Sequence, residues 1–285
     1  MRNSPYTLRN PKERSSSVVF ASPHSGRAYG WDFLQNSILD ERLIRSSEDA
    51  YVDKLFQAAP DCGAPLLAAN TPRAFVDFNR GTEELDPALV RGVRRPALNA
   101  RISAGLGVIP RVVAGGRAIY HGKMSMSEAQ TRLNDTWFPY HNQLQTLLDQ
   151  SHRAFGEAIL IDCHSMPHDA LRNVMLPQGR PEIVLGDRHG ASASSGIVGG
   201  IENAFQRAGF IVARNIPFAG AFVTQHYGRP SRQQHVIQVE IDRSLYMNEA
   251  QIRPNGQFHN IQARLAEAIQ EICDIGRTCE KLAAE

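Results

Sequence analysis

Two short segments each run an apolar stretch into an imidazole. Ile159-Leu160-Ile161-Asp162-Cys163-His164-Ser165 reads as a buried β-strand delivering His164 at its C-terminal end, and Val18-Val19-Phe20-Ala21-Ser22-Pro23-His24 repeats the design. Open α/β sheets bind ligands beyond the C-terminal ends of their strands. A neutral imidazole there is a good zinc ligand, and catalytic zinc usually takes three protein ligands plus water. Two histidines therefore require a third donor. Asp49, in Ser46-Ser47-Glu48-Asp49-Ala50-Tyr51-Val52-Asp53, is the best candidate, with adjacent Glu48 the alternative. Asp162 lies two residues before His164. Strand alternation sends both to one face, where the carboxylate would fix the imidazole from behind.

Three further constellations carry polar groups suited to a reaction. Val236-Ile237-Gln238-Val239-Glu240-Ile241-Asp242 places Gln238, Glu240 and Asp242 on one face of an apolar strand. Glu240 is costly to bury unless paired or protonated, and beside a metal-bound water it suits a general base. Arg73 to Arg80 reads as a strand over Ala74 to Asn79, with Arg73, Phe75, Asp77 and Asn79 on one face and Arg80 at its end. A guanidinium beside a side-chain amide suits capture of a carboxylate, with Asp77 orienting one of the arginines. Phe222 to Pro230 packs Thr224, His226, Tyr227 and Arg229 into one loop, a density that fits recognition of a polar substrate. Each residue also has a purely structural reading: core histidines, a capping Asp162, surface arginines, a polar turn, an ion-paired Glu240.

Composition narrows the classes of function. The 285 residues are 42% apolar and 21% charged, with 31 basic and 29 acidic side chains and a formal net charge of +2. These values fit an ordinary globular protein with one large core. No basic tract interleaved with aromatics appears, so nucleic acid is not an expected partner. Arg91-Gly92-Val93-Arg94-Arg95 reads as a solvated loop or a contact for an anionic ligand. No apolar run approaches about 18 residues, so no membrane span is expected. Met1 to Arg14 lacks an apolar core and is not read as a secretory signal. The four cysteines, Cys62, Cys163, Cys273 and Cys279, form no CxxC pair, which favours a reduced, cytoplasmic setting. Oligomeric state has no signal in the sequence.

The elements that must position these groups alternate in type. Strands are predicted over Val18 to Ser22, Pro65 to Asn70, Ala74 to Asn79, Ala158 to Cys163, Ile183 to Gly186, Phe210 to Arg214 and His235 to Ile241. Helices are predicted over Ser46 to Ala59, Ser127 to Ala154, Ser195 to Ala208 and Asn260 to Leu282. Ser127 is the expected cap of the longest, and Pro139 should kink or split it. The order implies one domain over residues 1–285: a three-layer αβα sandwich with a mostly parallel mixed sheet. Gly81 to Arg117 is rich in Gly, Pro and Arg without periodicity, as expected for an active-site cover.

Taken in order, these motifs resemble the N-formylglutamate amidohydrolase family. The resemblance runs from about Val18 to Met247 through Ser22-Pro23-His24-Ser25-Gly26, Asp49-Ala50-Tyr51-Val52-Asp53 and Val76-Asp77-Phe78-Asn79-Arg80. It continues through Ala104 to Arg111, Ile119-Tyr120, Pro139-Tyr140-His141, Asp162-Cys163-His164-Ser165, Phe222 to Pro230, Gln238-Val239-Glu240 and Leu245-Tyr246-Met247. It implies a fold like that of zinc carboxypeptidases and aspartoacylases, and release of formate and glutamate from a small acidic N-acyl amino acid in histidine breakdown. Carried across, His24 and His164 become Zn²⁺ ligands and Glu240 the general base. Asn79 and Arg80 resemble a carboxylate-binding pair, and Arg73 the arginine beside the carbonyl oxygen. His226, Tyr227 and Arg229 complete the expected substrate contacts. Carboxypeptidase relatives place a Glu three residues after the first His; here that residue is Arg27, so Asp49 is the expected third ligand, with Glu48 adjacent. Gly81 to Arg117 also departs from the histidine-pathway members. The competing expectations are hydrolysis of another N-acyl amino acid or small peptide, and a non-catalytic module that binds acidic amino acids.

Overall fold

Seven segments whose side chains alternate between two apolar layers form the central sheet. The computed structural model describes residues 4–94 and 99–277. The strands are β1 (Tyr6–Arg9), β2 (Val18–Ser22), β3 (Leu66–Ala69), β4 (Ala158–Met166), β5 (Ile183–Gly186), β6 (Val212–Arg214) and β7 (Gln234–Asp242). Their spatial order is β1-β3-β2-β4-β7-β5-β6. The core strands β3, β2, β4 and β7 run parallel, while β1 and the β5–β6 pair run opposite to them at the two edges.

Alternation decides which helices cover which face. Val18, Phe20, Ile159, Ile161, Ile237 and Val239 pack with helices Ser195–Arg207 and Phe258–Ile275. Val19, Ala21, Leu160 and Val236 pack with Tyr140, Leu144, Leu147 and Leu148 of helix Phe138–Phe155 on the other face. The result is the expected three-layer α/β sandwich. Among the described residues Cys62, Cys163 and Cys273 are buried free thiols, and no helix is long and apolar enough to cross a membrane.

Several elements differ from the sequence-based expectation. Ala74 to Asn79 is not a strand. The Phe75 and Val76 N–H groups donate to the Pro72 carbonyl at 2.9 and 3.2 Å, and Asp77 N–H donates to Val108. The sheet edge beside β3 is formed instead by β1, from the polar N-terminal stretch. Ser46 to Ala59 is broken as well: only Val52–Leu55 is α-helical, entered through Tyr51 with φ 68°. The long helix starts at Met126 under a Ser125 cap, whose hydroxyl accepts from Glu128 N–H at 3.1 Å, rather than under Ser127. Its irregularity is a π-helical turn at Leu133–Trp137, directly before Pro139 in the first turn of the following α-helix, so the chain meets the proline with a local change of helix type and not with a break. The last helix ends at Ile275; the expectation up to Leu282, Cys279, and Arg95 of the basic cluster lie outside the described residues.

One backbone contact locks the turn that carries His24. A Cβ added to Gly26 would lie 2.0 Å from the Thr71 carbonyl oxygen and 2.8 Å from the Asn70 carbonyl carbon, both backbone. The loop after β2 thus packs directly on the loop after β3. Gly26→Ala should destabilise the protein by about 2–3 kcal/mol, read as a fall in urea midpoint. Gly30→Ala, where an added Cβ meets nothing within 4 Å, should be near neutral by the same measurement.

Candidate metal and active site

The parallel register of β4 and β7 builds the floor of the site. Asp162 pairs with Gln238 and His164 with Glu240, so alternation on both strands sends all four side chains to one face. His24 follows the end of β2, the other neighbour of β4. Asp49 is tied to it through the backbone: Asp49 N–H donates to the His24 carbonyl at 3.0 Å.

The three side chains converge. Asp49 Oδ2 lies 3.0 Å from His164 Nδ1 and 3.4 Å from His24 Nδ1. One ligand atom from each residue lies within 4.8 Å of the others, and all three residues are buried. The opposite ring nitrogens face carboxylates: His24 Nε2 lies 2.7 Å from Asp77 Oδ1, and His164 Nε2 3.0 Å from Asp162 Oδ2. Those outer carboxylates suit a proton on each Nε2, and both Nδ1 atoms point inward, the orientation that histidine metal ligands take against such partners. His24 Nδ1 is moreover a buried nitrogen with no hydrogen-bond partner. A nitrogen, nitrogen and oxygen donor set with one orphaned lone pair fits a divalent cation, and these residues can hold one. Glu48 points elsewhere, to Arg45 and the Tyr29 hydroxyl.

Charge is balanced tightly here. Burial opposes ionisation of Asp49, but His164, His24 and Arg243 outweigh it and hold the carboxyl well below its usual range. Asp77 is likewise held low against burial, by His24, Arg73 and Arg80. Burial disfavours an imidazolium at His164, yet Asp162 and Asp49 push its pKa well above the usual value. Glu240 goes the other way: burial raises its carboxyl to about 7, with the charge of His164 opposing. Its Oε1 accepts a hydrogen bond from Gln238 Nε2 at 2.8 Å.

A cavity of about 770 Å³ opens over this cluster. Asp49, His164, Glu240, Arg73, Asn79 and Arg80 all line it. Arg73 Nε pairs with Asp77 Oδ2 at 3.0 Å, and the pKa of its guanidinium is raised by Asp77, Asp49 and Glu240 in spite of burial. Asn79 is braced on both sides: its Oδ1 accepts from Val223 N–H at 2.8 Å and its Nδ2 lies 3.3 Å from Gln238 Oε1. One wall comes from the aperiodic segment, including Arg101, Leu106, Pro110 and Val112 to Gly116.

His226, Tyr227 and Arg229 do not line the cavity. They belong to the helix Phe222–Tyr227 and the residues just after it. Tyr227 is buried with its hydroxyl 2.9 Å from His141 Nδ1. His226 stacks on Phe222, and exposed Arg229 donates to the Gln225 and Gly228 carbonyls. Two arginines of the cavity carry no distinctive signal in the sequence. Arg243 binds Asp49 Oδ1 at 2.8 Å and follows β7 directly, where a charged residue after Asp242 carries no distinctive spacing. Arg101 sits in the helical turn Ala100–Ser103 of the aperiodic segment.

A family model described as N-formylglutamate amidohydrolase matches residues 16–247. The chain is 28% identical over 242 residues to N-formylglutamate deformylase of Pseudomonas putida, covering 82% of this chain and 83% of that protein. It is 28% identical over 240 residues to the deformylase of Pseudomonas aeruginosa, covering 81% and 82% respectively. Among solved structures, N-formylglutamate amidohydrolase from Ralstonia eutropha JMP134 superposes with a TM-score of 0.90 at 33% identity, covering 96% of this chain and 99% of that one. A gene product of Agrobacterium tumefaciens shares the fold, with a TM-score of 0.63 at 16% identity over 96% of both chains.

The raised pKa of Glu240 has a stability consequence in metal-free protein. The folded carboxyl keeps its proton up to about 7, whereas the unfolded one loses it near 4.5. Stability attributable to this group is therefore intact below pH 4.5, falls between 4.5 and 7, and above 7 is lower by about 3 kcal/mol. Glu240→Gln should unfold at higher urea than the parent at pH 8, with the gap shrinking towards pH 5.

Proposed function

Because the chain belongs to the N-formylglutamate amidohydrolase family, we propose that it hydrolyses the formyl amide of N-formyl-L-glutamate to formate and L-glutamate, with Zn²⁺ held by His24, Asp49 and His164. The observation that carries this reading is the pair of inward Nδ1 atoms around Asp49 Oδ2, beside Glu240 in one cavity. When bound, the ion supplies a water acidified to a pKa of about 7 and a Lewis acid for the amide carbonyl.

The chain's own groups do the rest. Glu240, poised near neutrality, takes a proton from the attacking water and returns it to the leaving nitrogen. Arg73, fixed by Asp77, donates to the oxygen that gains charge on the tetrahedral carbon; losing one such donor costs about 3 kcal/mol of barrier. Arg80, with Asn79 beside it, holds a substrate carboxylate. The wall formed by the 81–117 segment serves as the cover that excludes water. In this reading the protein works in the cytoplasm, where three buried thiols stay reduced.

A second reading is hydrolysis of a larger N-acyl amino acid or a small peptide. The cavity favours it in one respect: about 770 Å³ lies well up the range of about 300–1,000 Å³ for ligand sites. A panel of formyl, acetyl and peptidyl glutamates separates the two by kcat/KM.

Chelation should abolish formate release and Zn²⁺ should restore it, and Glu240→Gln should lower kcat about 10²–10⁴-fold. Formate release by protein shown free of metal, or full activity of the glutamine variant, would contradict the mechanism. Binding must also displace the proton that Asp49 and Asp162 hold on His164. Zinc affinity should therefore rise with pH, with calorimetry showing protons released to the buffer.

A further inference from the structure

Four guanidinium groups line the cavity: Arg73, Arg80, Arg101 and Arg243. Arg73 is paired with Asp77 and Arg243 with Asp49. The other two have no carboxylate in contact among the described residues. Arg80 donates to the carbonyls of Leu106 and Asn79, at 3.1 and 2.6 Å. The Arg101 guanidinium has no hydrogen bond or ion pair among the described residues, and its side chain is exposed at the cavity wall.

Both are mounted on one hydrogen-bonded unit. Glu84 accepts from Gly81 N–H at 2.9 Å, just after Arg80, and from Asn99 Nδ2 at 2.7 Å. Asn99 Oδ1 in turn accepts from Arg101 N–H at 2.9 Å, and the Arg101 carbonyl accepts from Leu106 N–H at 2.8 Å. The backbone stations of the two arginines are thus tied together through Glu84 and Asn99, while neither guanidinium contacts a carboxylate among the described residues. Burial, with Arg73 and Arg101 nearby, pushes the Arg80 pKa down, against the pull of Asp77 and Glu84. Two like charges facing one cavity call for a ligand with two negative groups, since guanidinium–carboxylate pairs are strong and geometrically selective.

We propose that Arg101 is a specificity-determining residue that binds one carboxylate of a dicarboxylate substrate while Arg80 binds the other. The cavity thereby selects N-acyl amino acids with an acidic side chain. Arg229, which the sequence offered for this role, is committed to backbone carbonyls outside the cavity. The inference rests on the reading of this cavity as the hydrolytic site.

The test compares zinc-loaded parent, Arg101→Gln and Arg101→Lys on N-formyl-L-glutamate and N-formyl-L-norvaline, which differ by the side-chain carboxylate. The ratio of kcat/KM, glutamate over norvaline, should fall on the order of 100-fold in Arg101→Gln, mostly through KM, and recover in part in Arg101→Lys. An unchanged ratio would overturn the proposal. Calorimetric binding of L-glutamate and L-norvaline gives a reading independent of turnover. A preference for glutamate that disappears in Arg101→Gln supports the carboxylate role even if the parent hydrolyses neither formyl compound. No preference in the parent, or one retained by Arg101→Gln, overturns it. Absence of turnover alone would instead count against the hydrolytic reading.

Discussion

The structure depends on one electrostatic constraint: four carboxylates, Asp49, Asp77, Asp162 and Glu240, are buried around one site, two of them on adjacent strands and two on loops. Burial of unpaired carboxylates is prohibitively expensive. Two imidazoles and two guanidiniums make it tolerable. Each imidazole is clamped between two carboxylates, while Arg73 and Arg243 take one oxygen each from Asp77 and Asp49. The balance still leans negative, which is why His164 holds its extra proton so firmly and Glu240 is pushed towards its neutral form. A divalent cation replacing that proton would shift the balance back. The cluster is better understood as a receptor for positive charge than as a stabilising network.

The sheet converts this constraint into geometry. Strand alternation has a period of two, so the parallel pairing of β4 with β7 sets Asp162 beside Gln238 and His164 beside Glu240 without any help from loops. Those four residues were legible in the sequence for the same reason: period-two patterning in a buried strand survives whatever packs above it. His24 was legible because an apolar run ended in an imidazole. Asp49 required more. The choice between it and Glu48 turned on local backbone, where Tyr51 at φ 68° breaks the helix expected there and leaves Glu48 facing Arg45.

What the sequence concealed is mostly non-local. Alternation in Ala74 to Asn79 imitates a strand, but the segment is a loop and the edge beside β3 is formed by Tyr6–Arg9, far earlier in the chain. The loop from Phe222 to Pro230 looked like a recognition element because it is dense in polar groups. Density measures how many donors a segment carries, not whether they are free. Here Tyr227 serves His141, Gln234 Nε2 caps the Tyr227 carbonyl at 2.6 Å, and Arg229 folds back on its own backbone. Conversely, Arg101 and Arg243 have ordinary neighbours in sequence and become significant only through the cavity they reach.

The aperiodic segment explains how chemistry and selection are divided within one site. It is not loosely draped: Asp86 pairs with Arg111 at 2.8 Å, Glu84 bridges Gly81 and Asn99, and an added Cβ at Gly107 would lie 2.4 Å from the Glu84 carbonyl oxygen. Among its described residues, order comes mostly from side-chain and turn hydrogen bonds, with one helical turn at Ala100–Ser103 and a two-residue pairing at Val112–Val113, all too short to leave a periodic pattern. The three residues that could hold a metal, and Glu240, come from the sheet and the loops beside it, and none belongs to this segment. Substitutions along residues 81–117 can therefore reshape the wall and its cations while the buried charge cluster stays intact. On the proposed reading, chemistry would rest on the strands and selection on Arg101 of that wall.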